Sequence, residues 1–168
     1  MRYTRRRALA VAGAIAGTAA LGPVNAQQMQ ERKTLDVRTS LHRRQTYHVS
    51  AQRLYGVLLD SAAFAAFTHA PAHIDPVAGG AFSLFGGQIV GRNIELVPRT
   101  RIVQAWRSDK AWEPGVYSIV EFQLSGRDGE TVLALRHTSF PEGTYEHLYA
   151  GWQAHYFEPL AVYLEHSP

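Results

Sequence analysis

The chain contains no cysteine. Disulfides, thiolate metal sites and cysteine nucleophiles are therefore excluded. Long apolar runs are missing too. The stretch from Ala8 to Leu21 holds 14 residues, short of the ~20 that a membrane-spanning helix requires. Phosphate-cradling loops are absent as well. The stretch "GGAFSLFGGQIVGRN" (Gly79 to Asn93) is glycine-rich, but it lacks G-x-G-x-x-G. No Lys-Ser/Thr pair follows it and no helix begins after its glycines. The reading that remains is a β-hairpin, with Gly86-Gly87 as a two-residue turn. That register sets Leu84 against Ile89 and Phe82 against Gly91, an aromatic ring covering a bare strand glycine.

An excess of basic charge is the next absence, despite a pI near 9.4. The full chain has 17 Lys+Arg and 14 Asp+Glu. Residues 1–26 hold Arg2, Arg5, Arg6 and Arg7 and no acid. The remainder carries 13 basic against 14 acidic residues, so net charge gives no argument for nucleic acid. The leader itself has a basic start, an apolar middle, Pro23 and the small-residue ending Val24-Asn25-Ala26. This is the pattern of a signal peptide cleaved after about Ala26, implying a periplasmic or secreted domain with no membrane anchor. Thr4-Arg5-Arg6-Arg7-Ala8-Leu9 fits a twin-arginine export signal, with Ala8 where Phe is usual. An Arg-rich Sec signal is the alternative. Residues 27–37 read as a polar linker and 38–166 as one domain, large enough to bury roughly 70% of its unfolded surface.

Within the domain, Arg38 to Val49 is strand-like. Ser50 begins one short helix, and Asp60 or Ser61 a second carrying Phe64 and Phe67. Pro71 and Pro76 bracket a loop. From Ala81 to Thr138 strand follows strand, separated by 85–88, 97–100, 112–115 and 125–130, each with turn chemistry. The short spacings make neighbours antiparallel. After Pro141 the period becomes helical, with Leu148, Trp152, Tyr156, Leu160 and Tyr163 near one stripe. Pro159 cannot donate to the His155 carbonyl and predicts a bend.

The order and the segments "GGAFSLFGGQIVGRNIELVP", "RIVQAWR", "GVYSIVEFQL", "LRHTSFPEG" and "GWQAHYFEPLAVYL" resemble the SRPBCC (START-like) superfamily. Within it they resemble bacterial homologues of the activator of heat-shock protein 90 ATPase. The resemblance implies an α+β helix-grip fold: a curved antiparallel sheet wrapped around a long C-terminal helix, with two short helices after the first strand. It also implies a cavity between sheet and helix, not a particular reaction.

Strand parity then nominates the lining. Ile102, Gln104 and Trp106 share one face, as do Val120, Phe122 and Leu124, and Leu133, Leu135 and His137. The expected ligand-binding set is Phe82, Trp106, Tyr117, Phe122, Leu135, His137, Trp152 and Tyr156. The expected ligand is a small hydrophobic molecule or lipid, with no cofactor. His137 orients a ligand, or is a buried imidazole satisfied by a carbonyl or carboxylate. Asn93 and Glu95 share the parity of Ile89 and Gly91. On the concave face Glu95 would be a desolvated acid–base partner for His137 in a cyclase, dehydratase or isomerase; on the convex face it is a solvated charge. Ser139 lies two residues from His137, but no third acid and no nucleophile elbow accompany them. His69 and His73 have metal-like spacing, broken by Pro71, so no metal is expected. A third reading, a protein-interaction module or homodimer, ranks last here because the heat-shock chaperone works where ATP is available.

Overall fold

In a computed structural model the described residues are 36–127 and 129–166. The expected signal segment, 1–26, and residues 27–35 of the expected linker lie outside them. Strand β1 (Ser40–Tyr47) leads into α1 (Ala51–Leu59) and α2 (Ser61–Thr68). Then come β2 (His73–Ile74), β3 (Ala81–Leu84), β4 (Ile89–Val97), β5 (Arg101–Ser108), β6 (Ser118–Arg127) and β7 (Glu130–Thr138). The chain ends in α3 (Tyr145–Trp152), a π turn (Gln153–Phe157) and α4 (Glu158–His166). The seven strands form one antiparallel sheet in the order β1-β7-β6-β5-β4-β3-β2. This is the helix-grip architecture that the order of elements predicts.

Local chemistry explains the element boundaries. The Ser50 hydroxyl accepts from the Arg53 amide at 3.2 Å, capping α1. The Asp60 carboxylate accepts from the Ala63 amide at 2.7 Å, capping α2. Each bond satisfies an amide that the first helical turn leaves without a partner. Leu54, Leu58, Phe64 and Phe67 then face the core. His69 ends α2 in the left-handed conformation and His73 lies in β2, so the two imidazoles share no helix face. Asp36, expected in the linker, is tied to the domain. The Asp36 carboxylate takes Arg38 Nε at 2.8 Å, and the Asp36 carbonyl accepts from the Gly143 amide at 2.9 Å.

The glycine-rich hairpin pairs Leu84 with Ile89 and Phe82 with Gly91, as expected. Its turn differs. It takes four residues, with Phe85, Gly86 and Gly87 all at positive φ. The loop between Pro71 and Pro76 likewise contains β2, two residues paired to β3. At Gly91 a Cβ would stand 2.0 Å from the Ala105 carbonyl oxygen and 2.4 Å from Phe82 Cζ. Glycine is required there by space rather than by φ.

The inner face of the sheet follows strand parity. Ile102, Trp106, Val120, Phe122, Leu124, Leu133 and Leu135 are all buried. The outer face carries Arg44, Arg92, Arg101, Arg107 and Arg136. Arg136 pairs with Glu121 at 2.6 Å, and Arg107 pairs with Asp109. Parity fails at one place. A β-bulge falls between Asn93 and Glu95: Asn93 pairs with Gln104, but Glu95 pairs with Val103. The extra residue, Ile94, turns Glu95 to the outer face.

Gly91→Ala should cost about 2 kcal/mol or more, because neither the carbonyl nor the ring can retreat without breaking the β3–β5 packing. Gly56→Ala in α1, where nothing lies within 4 Å of the new methyl, should add roughly 0.5–1 kcal/mol. Urea unfolding of the two variants beside the parent measures both.

Candidate functional site

The space between the sheet and the C-terminal helix is the expected site, and side chains fill it. Trp106 from β5 and Trp152 from α3 meet with ring centroids 4.9 Å apart. Trp152 meets Tyr156 at 4.9 Å, and Tyr156 stacks on Phe122 of β6 at 5.6 Å. Phe82 covers the far side of Trp106 at 6.0 Å. The most exposed of these residues, Trp106, has only 6% of its surface accessible. The cavity that the resemblance implies is thus closed by these aromatics, packed edge-to-face and offset.

Four polar side chains lie inside this apolar layer, and each is satisfied. The Trp152 indole N–H donates to His137 Nδ1 at 3.0 Å. That contact leaves Nδ1 unprotonated and puts the imidazole proton on Nε2. Nε2 lies 2.7 Å from the Ser118 hydroxyl, and Ser118 donates onward to the Trp106 carbonyl at 3.3 Å. On the other side of Trp106, its indole N–H donates to Gln104 Oε1 at 2.8 Å. Gln104 donates to Asn93 Oδ1 at 2.8 Å, and Asn93 donates to the Asp75 carbonyl at 2.8 Å. The result is a polar line across β4, β5, β6 and β7 that ends on the helix. Buried groups with partners cost little; the same groups without partners cost several kcal/mol.

The electrostatics match a structural role. Burial pushes His137 down to about 3 from an ordinary 6.5, so it is neutral at every physiological pH. Burial also pushes the Tyr156 and Tyr47 phenols well above their ordinary value. Glu95 is absent from this layer. It lies on the outer face, 2.5 Å from Arg101 Nη2, so the expected His137–Glu95 acid–base pair is not assembled. Tyr117, another expected lining residue, precedes β6 and is 47% exposed. Ser139 takes φ +63 and is exposed, which turns it away from the row that ends in His137. Phe82, Trp106, Phe122, Leu135, His137, Trp152 and Tyr156 are all buried, but as core.

The helix is held to the sheet by a further group that sequence reasoning missed. Adjacent in sequence, Arg43 and Arg44 point to opposite faces, and Arg44 lies on the outer one. Arg43 has inward parity on β1, donates to the Tyr149 carbonyl at 3.2 Å and bonds the Gln153 amide oxygen. Its guanidinium also lies 4.4 Å from the Tyr149 ring centroid. These contacts fall where the helix changes pitch. The Gln153 amide bonds the Ala150 carbonyl, and the Glu158 amide reaches back to Gln153. The expected bend at Pro159 is therefore a π turn just before it, which leaves Pro159 in the first turn of α4, where a missing N–H does no harm. The wider turn presents Tyr156 and Phe157 together to the core. Parity could have flagged Arg43; nothing local marks the π turn.

Two open, shallow hollows lie elsewhere. One, of about 260 Å³, is bounded by Ser50, Arg99 and Arg127 at the start of α1. The other, of about 310 Å³, is on the outer face between Arg44, Glu121 and Arg136.

The fold and its interior define a class: a helix-grip sheet whose space under the helix is filled by tryptophans and a neutral histidine. Comparison with known proteins specifies it further. The family model described as "Activator of Hsp90 ATPase homolog 1-like protein" matches residues 48–165, and the chain belongs to that family. It is 34% identical over 117 residues to the human activator of 90 kDa heat shock protein ATPase homolog 1, covering 70% of this chain and 34% of the relative. An uncharacterised Schizosaccharomyces pombe protein is 35% identical over 115 residues, covering 68% and 34%. The chain thus spans about a third of the length of the curated relatives it matches. Among solved structures, an HSP90 activator from Plasmodium falciparum matches with a TM-score of 0.72 and 26% identity, covering 76% of this chain and 97% of that one. A Chromobacterium violaceum protein matches at 0.64 and 27%, covering 77% and 99%.

His137 gives a pH signature whose sign can be worked out. The folded imidazole stays neutral to about pH 3, whereas the unfolded one protonates near 6.5. Between those values the unfolded state binds more protons, so stability falls as the pH drops, by up to about 1.4 kcal/mol per unit. His137→Gln should cost about 2 kcal/mol at pH 7, where it weakens the bonds to Trp152 and Ser118. It should also flatten the stability loss between pH 6 and 4, as read from urea midpoints in that range.

Proposed function

We propose that this chain is a protein-docking module of the heat-shock-ATPase-activator type, working through its surface while its interior serves as scaffold. The observation that carries the reading is the closed polar line from Asp75 to Trp152. It commits Asn93, Gln104, Ser118 and His137 to other protein groups, so none of these four is free to orient a ligand or move a proton. The names of the relatives, activators of a 90-kDa heat-shock ATPase, point to the same kind of work. The relatives are about three times as long, so docking is the part of their activity assigned to a single domain of this size.

A ligand held under the helix is the competing reading. It requires Trp106 and Trp152 to part, which would break the bonds to Gln104 and His137 together. Isothermal titration of the chain with a purified bacterial 90-kDa heat-shock protein separates the two readings. Docking predicts saturable binding with a Kd on the order of micromolar, typical of transient interfaces. No binding to the chaperone, with an apolar molecule retained by the chain in native mass spectra, would overturn it.

Export belongs to the same proposal, on the strength of the leader alone. The twin-arginine route moves folded proteins, so a folded docking domain would meet an ATP-driven chaperone before it crosses. Replacing Arg5 and Arg6 together by Lys should trap the chain in the cytoplasm in cell fractionation. Unchanged periplasmic arrival of that variant would assign the leader to the Sec route.

A further inference from the structure

The outer face of the sheet has a feature that the docking reading leaves unused, and the inference drawn from it rests on that reading. In the middle of the face, His42 stands opposite Arg136, and Arg136 opposite Glu121. One row along, Arg44 stands opposite Ala134, and Ala134 opposite Gln123. A methyl group is thus ringed by long polar side chains. This is the 310 Å³ hollow: Ala134 is its floor, and Arg44, Arg136 and Gln123 are its walls.

The hollow has unspent cationic capacity. Arg136 gives Nε and Nη2 to a single oxygen of Glu121, at 2.9 and 2.6 Å, and keeps donors on Nη1. Arg44 is exposed and has no ion-pair partner among the described residues. Gln123 adds an exposed amide. An arginine fork offers planar, paired donors that suit a carboxylate. The wider face reinforces the sign. Its five arginines, Arg44, Arg92, Arg101, Arg107 and Arg136, exceed the acids paired to them, Glu95, Asp109 and Glu121, whereas the chain beyond residue 26 has 13 basic and 14 acidic residues.

We propose that this hollow is the docking point for an acidic, extended segment of a partner protein. A carboxylate lies over Ala134 between Arg44 and Arg136, and the segment runs across the strands of β1, β7 and β6. A nucleic acid or an anionic membrane fits less well. Glu121 lies within the hollow and Glu95 beyond it, so a continuous row of phosphates would meet carboxylates, while a peptide spaces its charges and brings amides for Gln123.

The test is an NMR titration of the ¹⁵N-labelled full chain with a hexaglutamate peptide. A hexalysine peptide and a single-stranded 12-mer oligonucleotide are run in parallel. The expected result is saturable shifts centred on Ala134, Gln123 and their neighbours in β1, β6 and β7. The double variant Arg44→Glu, Arg136→Glu should weaken binding at least tenfold with its melting temperature within a few degrees of the parent. Lys110→Glu, a single charge reversal on a loop outside the hollow, should stay within twofold. Four results would overturn the proposal: no saturation at millimolar peptide, shifts confined to residues before 36, equal losses in both variants, or oligonucleotide binding as tight as the acidic peptide. The double variant also tells the two readings apart. If it still binds the 90-kDa chaperone like the parent, docking stands and this face falls; if the parent binds neither, both fall.

Discussion

The hydrogen bond from the Trp152 indole to His137 Nδ1 is the constraint on which the rest of the molecule depends. It is the point where the polar line of the sheet crosses to the helix. By occupying Nδ1 it fixes the tautomer, and the tautomer fixes Ser118 as the next partner. Ser118 binds the main chain of Trp106, whose side chain continues the line through Gln104 and Asn93. Four strands, the β2 loop and the C-terminal helix are thus held in one register by groups that have no water to fall back on. Around this line the apolar contacts are strong but non-directional. Rings of similar size would pack at several heights of the helix, and the polar line selects one of them.

Several local irregularities serve that one alignment. Ser139 at positive φ swings the chain off β7 toward the helix. Arg43 reaches the helix where its pitch changes, and the π turn puts Tyr156 and Phe157 side by side against the core. The bulge at Ile94 keeps Asn93 inside while turning Glu95 out to Arg101. Each departure from ideal geometry removes a charge from the interior or delivers a ring to it. The product is a packed core around a neutral His137, with Arg43 at its edge reaching the helix, and a charged exterior. That division is the physical basis of the proposal that binding belongs to the surface.

Much of the fold was legible because its signals are local. Alternation marked the inward rows of β5, β6 and β7, and Phe82 facing Gly91 followed from the hairpin register. Ser50 and Asp60 announced their helices. The leader expected over residues 1–26 lies outside the described residues. The failures share a physical cause. A bulge needs no glycine or proline, so Glu95 was counted on the parity of Asn93. A π turn is a change of hydrogen-bond partner that side chains do not advertise. Ser118 became the partner of His137 only through the pairing of β6 with β7, a long-range fact. The largest misjudgement concerned volume. Trp106, Trp152 and Tyr156 were correctly placed under the helix, but how rings of that size share a space depends on their mutual angles, which composition does not contain.

The central claim is that the helix is locked down and the interior closed. Hydrogen exchange of the Trp152 indole proton, followed by NMR in the native protein, tests it most directly. A sealed, hydrogen-bonded indole should exchange as slowly as the most protected amides of β6 and β7, and its signal should not move when fatty acids or aromatic compounds are added. Exchange within seconds, or a shifted indole signal on adding such a compound, would contradict the account and show that the space beneath the helix opens.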